Sequence, residues 1–315
     1  MMRFGVVIDG PDRDGYLAAV RRAEDLGYDT VLCSDHLELE GRHFSHFAPI
    51  PALTAAAVAT ERIRVGTAVL NQDLRHPAVL AREAASLDVL SGGRLELGIG
   101  AGWNEPEYVM AGIHWDQMAV RVRRFTEYIQ VVKGVIAEPS FSFAGEFFTI
   151  TEMPGEPAPI QRPHPPIMIG AIGPKLLALA AREADIVSIN MLKSPDPSEA
   201  GLAERVEWVR EAASDRFGKL ELQLPLAATL PSATSPADTI RNAAAAGDRF
   251  ISMLLSKFDA DVLAESPMIL TGSQDEMTQR LGGIADRFGI GSVMIPMPQL
   301  EALAPVVAQL NGVRA

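Results

Sequence analysis

The chain has 315 residues, 48% hydrophobic and 22% charged, the balance of a globular protein able to bury a sizeable core. Asp plus Glu outnumber Lys plus Arg by 40 to 28, the net charge is −12, and no basic stripe appears, which argues against nucleic acid as partner. A lone cysteine, Cys33, excludes an internal disulfide, no run of about 18 apolar residues offers a membrane span, and MMRFGVVIDG is charged too early for a signal peptide, so a reducing, cytoplasmic setting is expected.

Arg3 to Ile8 is a short apolar run closed by Gly10, the form of a buried parallel strand. Tyr16, Leu17, Val20, Ala23 and Leu26 follow at helical spacing, and Gly27 sits where a helix end wants a left-handed residue. Thr30 to Cys33 supplies a second strand, completing a β-α-β unit. The alternation continues with a helix over Ala52 to Ala59, strand three over Ile63 to Leu70, a helix over Pro77 to Leu90 and strand four over Leu95 to Ile99. A long amphipathic helix covers Gln117 to Ile136, and FSFAGEFFTI, Phe141 to Ile150, alternates about a glycine as a surface hairpin would.

After a proline-rich loop, Pro154 to Pro166, strand five is expected at Ile167 to Gly170, with a helix from Pro174 and strand six at Ile186 to Ile189. A helix over Leu202 to Ala213 and strand seven over Leu220 to Leu226 come next. The stretch 232–268 reads as one helix, Asp238 to Ala246, and a loop rich in small and polar residues. Gln274 to Phe288, Ser292 to Ile295 and Leu300 to Leu310 then form a helix, strand eight and a closing helix. Eight strand-helix units with no break in composition predict an α/β fold, a closed (β/α)8 TIM barrel in one domain over 1–315, decorated by a hairpin near 141–150 and an insert near 232–268. An open doubly wound sheet is the alternative.

Barrel chemistry sits at the C-terminal ends of the strands, which directs attention to four turns. Strand two ends in Ser34-Asp35-His36, where a histidine, a residue type suited to proton transfer, follows a carboxylate able to fix its tautomer or touch a cofactor. Strand three ends in Asn71-Gln72, and strand four runs into Gly98, Gly100 and Gly102 before Trp103, Asn104, Glu105 and Glu107. Such glycines let a backbone pass close to a flat ligand or simply shape a turn; Trp103 occupies the place where a dinucleotide fingerprint needs its third glycine. Strand five leads into Gly170-Ala171-Ile172-Gly173-Pro174-Lys175, with free amides and a cation at a helix start, an anion site or a tight turn. His43 and His46, three apart, raise a metal-dependent hydrolase, although strand one ends in Asp9-Gly10 with no histidine pair. Cys33 lies in a buried strand and reads as inert, and Asp88 and Arg94 as an ion pair or loop anchors.

The run ATERIRVGTAVLNQDLRHPAVLAREAASLDVLSGGRLELGIGAGWNEPEY resembles the bacterial luciferase-like flavin and deazaflavin oxidoreductases, with SDHL upstream and PPIMIGAIGPKLLALAAREAD and SPMILTGSQDEMTQRL downstream. It is most similar to the branch that uses coenzyme F420. The resemblance implies a (β/α)8 barrel, usually a homodimer, with a non-proline cis peptide behind the cofactor ring that falls here at Ala68-Val69. It further implies Asp35 as a cofactor contact, Asn71 beside the ring, Gly100, Ala101 and Gly102 along the cofactor pocket, and Gly170, Ile172, Gly173, Pro174 and Lys175 toward the phosphate. His36 matches the family's acid or base near the substrate, and Trp103 and Glu105 fall in the substrate pocket.

Sugar-phosphate dehydrogenases of that branch place a glutamate directly after the glycines, where this chain has Trp103; Glu105 is the candidate substitute. The expected function is hydride transfer between F420 and a small organic substrate, with no resident metal. Alternatives are an FMN-dependent monooxygenase using reduced flavin and O2, and a non-catalytic flavin-binding relative.

Overall fold

The computed structural model describes residues 2–311 except 11, 40, 41, 44, 45 and 193. Eight strands form the frame: β1 Arg3–Val7, β2 Thr30–Cys33, β3 Arg64–Thr67, β4 Leu95–Gly100, β5 Ile167–Ala171, β6 Ile186–Ile189, β7 Glu221–Pro225 and β8 Ile290–Pro296. Each pairs in parallel with its successor and β8 pairs with β1, so the sheet closes as a barrel. Around it run α1 Arg13–Asp25, α2 Pro49–Ala59, α3 Pro77–Leu90, α4 Glu105–Ala111, α5 Met118–Ala137, α6 Pro174–Glu183 and α7 Glu199–Ala213. They are followed by α8 Pro236–Ala245, α9 Arg249–Leu255, α10 Ala260–Ala264, α11 Gln274–Phe288 and α12 Leu300–Asn311. Among the described residues no helix is long and apolar enough to cross a membrane.

Alternate strand residues face outward into the helix layer, where Phe4, Val6, Val31, Val65, Leu95, Leu97 and Ile99 join the main core. The other parity faces the barrel axis and is graded along it. At the N-terminal end Arg3 of β1 spans the interior to Glu96 of β4 and Glu221 of β7, and Arg64 of β3 meets the same Glu96. Above them Leu32, Met168, Ile186 and Met294 fill the middle and touch Val7, Ala68 and Val69. The barrel is therefore plugged below, which directs attention to its C-terminal mouth.

Three readings of the sequence are revised. Strand three, predicted through Leu70, stops at Thr67; the Ala68-Val69 peptide is cis, and Leu70 and Asn71 resume pairing with β4. Val65 pairs with Leu95 but Leu70 with Ile99, so the offset falls from 30 to 29 and one extra residue bulges out. Residues after Trp103, to which the sequence assigned no element, make the short helix α4, opened by Pro106 in its first turn and closed by left-handed Gly112.

The stretch 232–268 carries three helices instead of one, and outside the barrel Ala228–Pro231 pairs in parallel with Ile269–Gly272. Two of its polar residues are caps: Ser235 accepts from the Asp238 amide and Asp248 from the Ile251 amide. The antiparallel hairpin is Ser140–Ala144 with Thr149–Pro154. Asp88 and Arg94 serve as separate loop anchors: Asp88 accepts from the Gln161 amide and side chain, and Arg94 donates to the carbonyls of Ala57, Ile63 and Ser91.

Candidate active site

At the end of β2 three consecutive residues are each held by a different part of the chain. Ser34 donates its hydroxyl to Asp9 Oδ2 at 2.7 Å, tying the ends of β1 and β2 together. Asp35 is buried and reaches the segment after the bulge. Its Oδ2 accepts from the Asn71 amide at 2.9 Å and from Arg75 Nη1 at 2.7 Å, and its Oδ1 accepts from Arg75 Nη2 at 3.3 Å. Burial alone would lower the Arg75 pKa, but the hydrogen-bonded Asp35 outweighs it and the net shift is upward.

His36 faces the strand-four turn. Its Nδ1 lies 2.9 Å from Glu107 Oε1, the oxygen that also accepts from the Leu37 amide at 2.8 Å. Its ring meets Trp103 edge-on, with centroids 5.4 Å apart and an interplanar angle of 74°. Trp103 is 44% exposed, so it walls an opening rather than filling core. Glu105, expected in the substrate pocket, is exposed in the first turn of α4, whereas Glu107 is buried. Residues two apart on a helix point to different sides, so only one of these carboxylates can face His36.

The glycine series is packed against the protein's own atoms. A Cβ on Gly98 would fall 1.8 Å from the Thr67 carbonyl, and one on Gly100 would fall 2.7 Å from Val69 Cγ2. Gly102, at φ +74°, leaves room for the Tyr108 hydroxyl, which a Cβ would approach to 1.8 Å. That hydroxyl contacts Asn71 Oδ1 at 3.0 Å and Asp73 Oδ2 at 2.8 Å, and burial, followed by Asp73, pushes its pKa up. Ala101 is buried, and Arg121, stacked 3.7 Å over Trp115, donates to the Gly102 carbonyl at 2.6 Å. The half-buried Ala68 and Val69 thus sit over β4, and Val69 Cγ1 also lies 3.5 Å from where a Gly170 Cβ would be.

Past Gly170 and half-buried Ile172, Gly173 caps α6 with no side-chain hydrogen bond, and a Cβ there would meet nothing within 4 Å. Pro174 occupies the first turn, Lys175 is exposed, and the first intrahelical bond runs from the Leu177 amide to the Gly173 carbonyl. The amides of Lys175 and Leu176 precede that bond and have no intrahelical partner, as at any helix start. Cys33 is buried with Tyr16 Oη at 3.6 Å, and burial raises its thiol to about 12. The His43 side chain lies outside the described residues, and among those described no three metal-binding side chains come together.

Sequence reasoning missed Arg75, Tyr108 and Arg121, and named Glu107 without a role. Only Glu107 left a legible signal, since Pro106 marks a helix start and hence opposite faces for its two flanking glutamates.

A family model described as luciferase-like monooxygenase matches residues 7–288. An F420-dependent glucose-6-phosphate dehydrogenase of Nakamurella multipartita is 30% identical over 276 residues, 85% of this chain and 76% of that protein. The chain spans about half the length, 50% and 52%, of two further curated relatives of the same description. An FMNH2-dependent dimethylsulfone monooxygenase of Pseudomonas putida is 31% identical over 160 residues, 51% of this chain and 42% of that one. Among solved structures, an F420-dependent secondary alcohol dehydrogenase in complex with an F420-acetone adduct superposes with a TM-score of 0.79 at 18% identity, covering 98% of this chain and 97% of that one. The match over residues 7–288, with the relative aligned over 85% of the chain, identifies this chain as an oxidoreductase belonging to the luciferase-like monooxygenase family.

Proposed function

We propose that this chain passes a hydride between coenzyme F420 and a small organic substrate at the C-terminal mouth of the barrel, with His36 carrying the accompanying proton. The observation that carries the reading is the His36–Glu107 pair beside half-exposed Trp103, a proton-handling group held by a buried carboxylate at the rim of the barrel. The F420-dependent relative that aligns over 85% of the chain supports the choice of cofactor.

The residues present fit a flat ring with a phosphate tail. Inward positions near the mouth are small, Ala68, Gly100, Gly170 and Ser188, and Val69 lies across them as a shelf. The open cradle at Gly173, the unpaired amides that follow Pro174 and the Lys175 ammonium suit a phosphate. When bound, the deazaflavin supplies two-electron hydride exchange.

In this reading Ala68, Val69, Asn71, Gly100, Ala101 and Gly102 hold the ring. Gly170, Ile172, Gly173, Pro174 and Lys175 hold the tail. Asp35 contributes indirectly, because its oxygens are engaged by Arg75 and by the Asn71 amide. Trp103 and Leu37 wall the substrate side, and Glu105 stands at its rim. A second reading, reduced FMN acting with O2, is supported by the Pseudomonas putida relative.

We also read the protein as a homodimer. Helix α2, PIPALTAAAVA, has no charged residue on any face and leaves Val58 75% exposed, next to α3 with Val79, Val89 and Leu90 exposed. A second copy covering this face accounts for such a helix.

Fluorescence titration with F420 and with FMN in parallel tests the assignment. Saturable binding of F420 in preference to FMN is expected, with His36→Gln retaining that affinity and losing turnover. Preference for FMN transfers the case to oxygen chemistry, and binding of neither defeats the reading.

A further inference from the structure

The geometry points to Glu107 as a positioning residue that fixes the tautomer of His36 and makes its Nε2 the proton-accepting atom of the resting protein. The inference deepens the proposed role of His36 and rests on it for its catalytic meaning.

One oxygen carries the argument. Glu107 Oε1 lies 2.8 Å from the Leu37 amide and 2.9 Å from His36 Nδ1. A backbone N–H can only donate, and an ionised carboxylate can only accept, so Oε1 is the acceptor in both bonds. Nδ1 must then carry a hydrogen, and in the neutral imidazole Nε2 is left with its lone pair. Among the described residues Nε2 has no hydrogen-bond partner of its own, which leaves it for substrate.

The carboxylate cannot easily turn away. It is buried, and the next residue on α4, Tyr108, is pinned at its hydroxyl by Asn71 and Asp73 and packed edge-on against Trp115 with centroids 4.6 Å apart. On the other side the Leu37 amide holds Oε1 next to the histidine's own backbone. His36 and Glu107 are 71 residues apart in sequence, and their pairing is set by where β2 and α4 leave the barrel.

With Nδ1 engaged by Glu107, Nε2 is the atom at which the neutral imidazole would take a proton, and the substrate suited to it carries a hydroxyl. Such a substrate would give its O–H proton to Nε2 as its alcohol carbon becomes a carbonyl, and a bound deazaflavin would supply the two-electron acceptor for the hydride released from that carbon. Glu107 balances the imidazolium charge so created, as a carboxylate does in other oriented histidine pairs.

The test is nitrogen-15 NMR of full-length, cofactor-free protein labelled at its six histidines, with His36→Gln identifying the His36 signals. The expected wild-type pattern is protonated Nδ1 and bare Nε2. Glu107→Ala is expected to move His36 alone to the Nε2–H form that free imidazole prefers, while Glu107→Gln, whose amide oxygen still accepts from both donors, retains the wild-type form. A wild-type His36 in the Nε2–H form overturns the proposal, as does a pattern unchanged by Glu107→Ala in a protein shown by circular dichroism to be folded. If Glu107→Ala does not fold, the wild-type and Glu107→Gln spectra decide. With F420 present, Glu107→Ala should lower kcat about tenfold or more at unchanged cofactor affinity. Because the spectra need no cofactor, failure to bind F420 would remove the proposed function and leave the tautomer standing.

Discussion

Replacing Gly100 by alanine asks whether the strand-four glycines serve the protein's own packing or a ligand. The added Cβ would lie 2.7 Å from Val69 Cγ2 and 3.9 Å from Val69 Cβ, with nothing else within 4 Å beyond its chain neighbours. A carbon pair relaxes at about 3.5 to 4.0 Å, so Val69 or the bulge must yield by about 1 Å. Overpacking of this kind costs about 1 to 3 kcal/mol, and because Val69 is only half-buried the expected value is about 2 kcal/mol. Val69→Ala removes the offending methyl and by itself costs about 1 kcal/mol in lost burial. In the double variant the clash is gone, so a favourable coupling of about 1 to 2 kcal/mol is expected from urea unfolding of the four proteins in the cycle. Equal cost of Gly100→Ala in both backgrounds, with coupling below about 0.5 kcal/mol, would refute the packing argument. F420 titration of the same proteins separates the roles: affinity lost with Gly100→Ala even in the Val69→Ala background would mean that the ligand itself needs the glycine.

Asp35→Ala strands the partly buried Arg75 guanidinium and releases the Asn71 amide, at a cost of about 3 kcal/mol in urea unfolding; less than about 1 kcal/mol would show that the pair anchors nothing. Val58→Glu places a charge on the all-apolar α2 face and should convert a dimer to monomer in light scattering behind size exclusion, a result that a monomeric wild type would preclude. Burial alone would raise the Glu24 pKa, but amide donors from Ile63, Arg62 and Glu61 outweigh it and hold the carboxylate below its ordinary range. The unfolded chain then takes up this proton first as pH falls, so Glu24 contributes stability above the ordinary glutamate range and loses it as pH drops through the depressed folded value. Glu24→Gln should flatten the acid limb of a stability profile, and an unchanged slope would contradict the linkage.

The barrel was legible because its strands are apolar runs separated by amphipathic helices, and that periodicity reports burial directly. Ser34-Asp35-His36 was legible as a place because a strand end is where side chains leave the barrel. Partners were not: Arg75 and Glu107 lie 40 and 71 residues from the groups they hold, and only closure of the sheet sets those distances. The glycines show the same limit from the other side. Their spacing announces a close approach, but whether Thr67, Val69, Tyr108 or a ligand does the approaching depends on a bulge one residue long. The insert at 232–268 was read as loop beyond its first helix because Asp248, a polar residue of a type that favours turns, here starts a second helix.

Cys33 gives the molecule a built-in clock. It is the chain's one thiol, buried three residues before His36, hydrogen-bonded to the Ile8 carbonyl at 3.5 Å and held at about 12 by burial. A thiol in that state reacts with a disulfide reagent only when β1 and β2 part, so the rate of labelling counts openings of the barrel wall beneath the mouth. Any small molecule that seats on the mouth and steadies those two strands should slow that rate, which allows candidate ligands to be ranked without an assay for turnover.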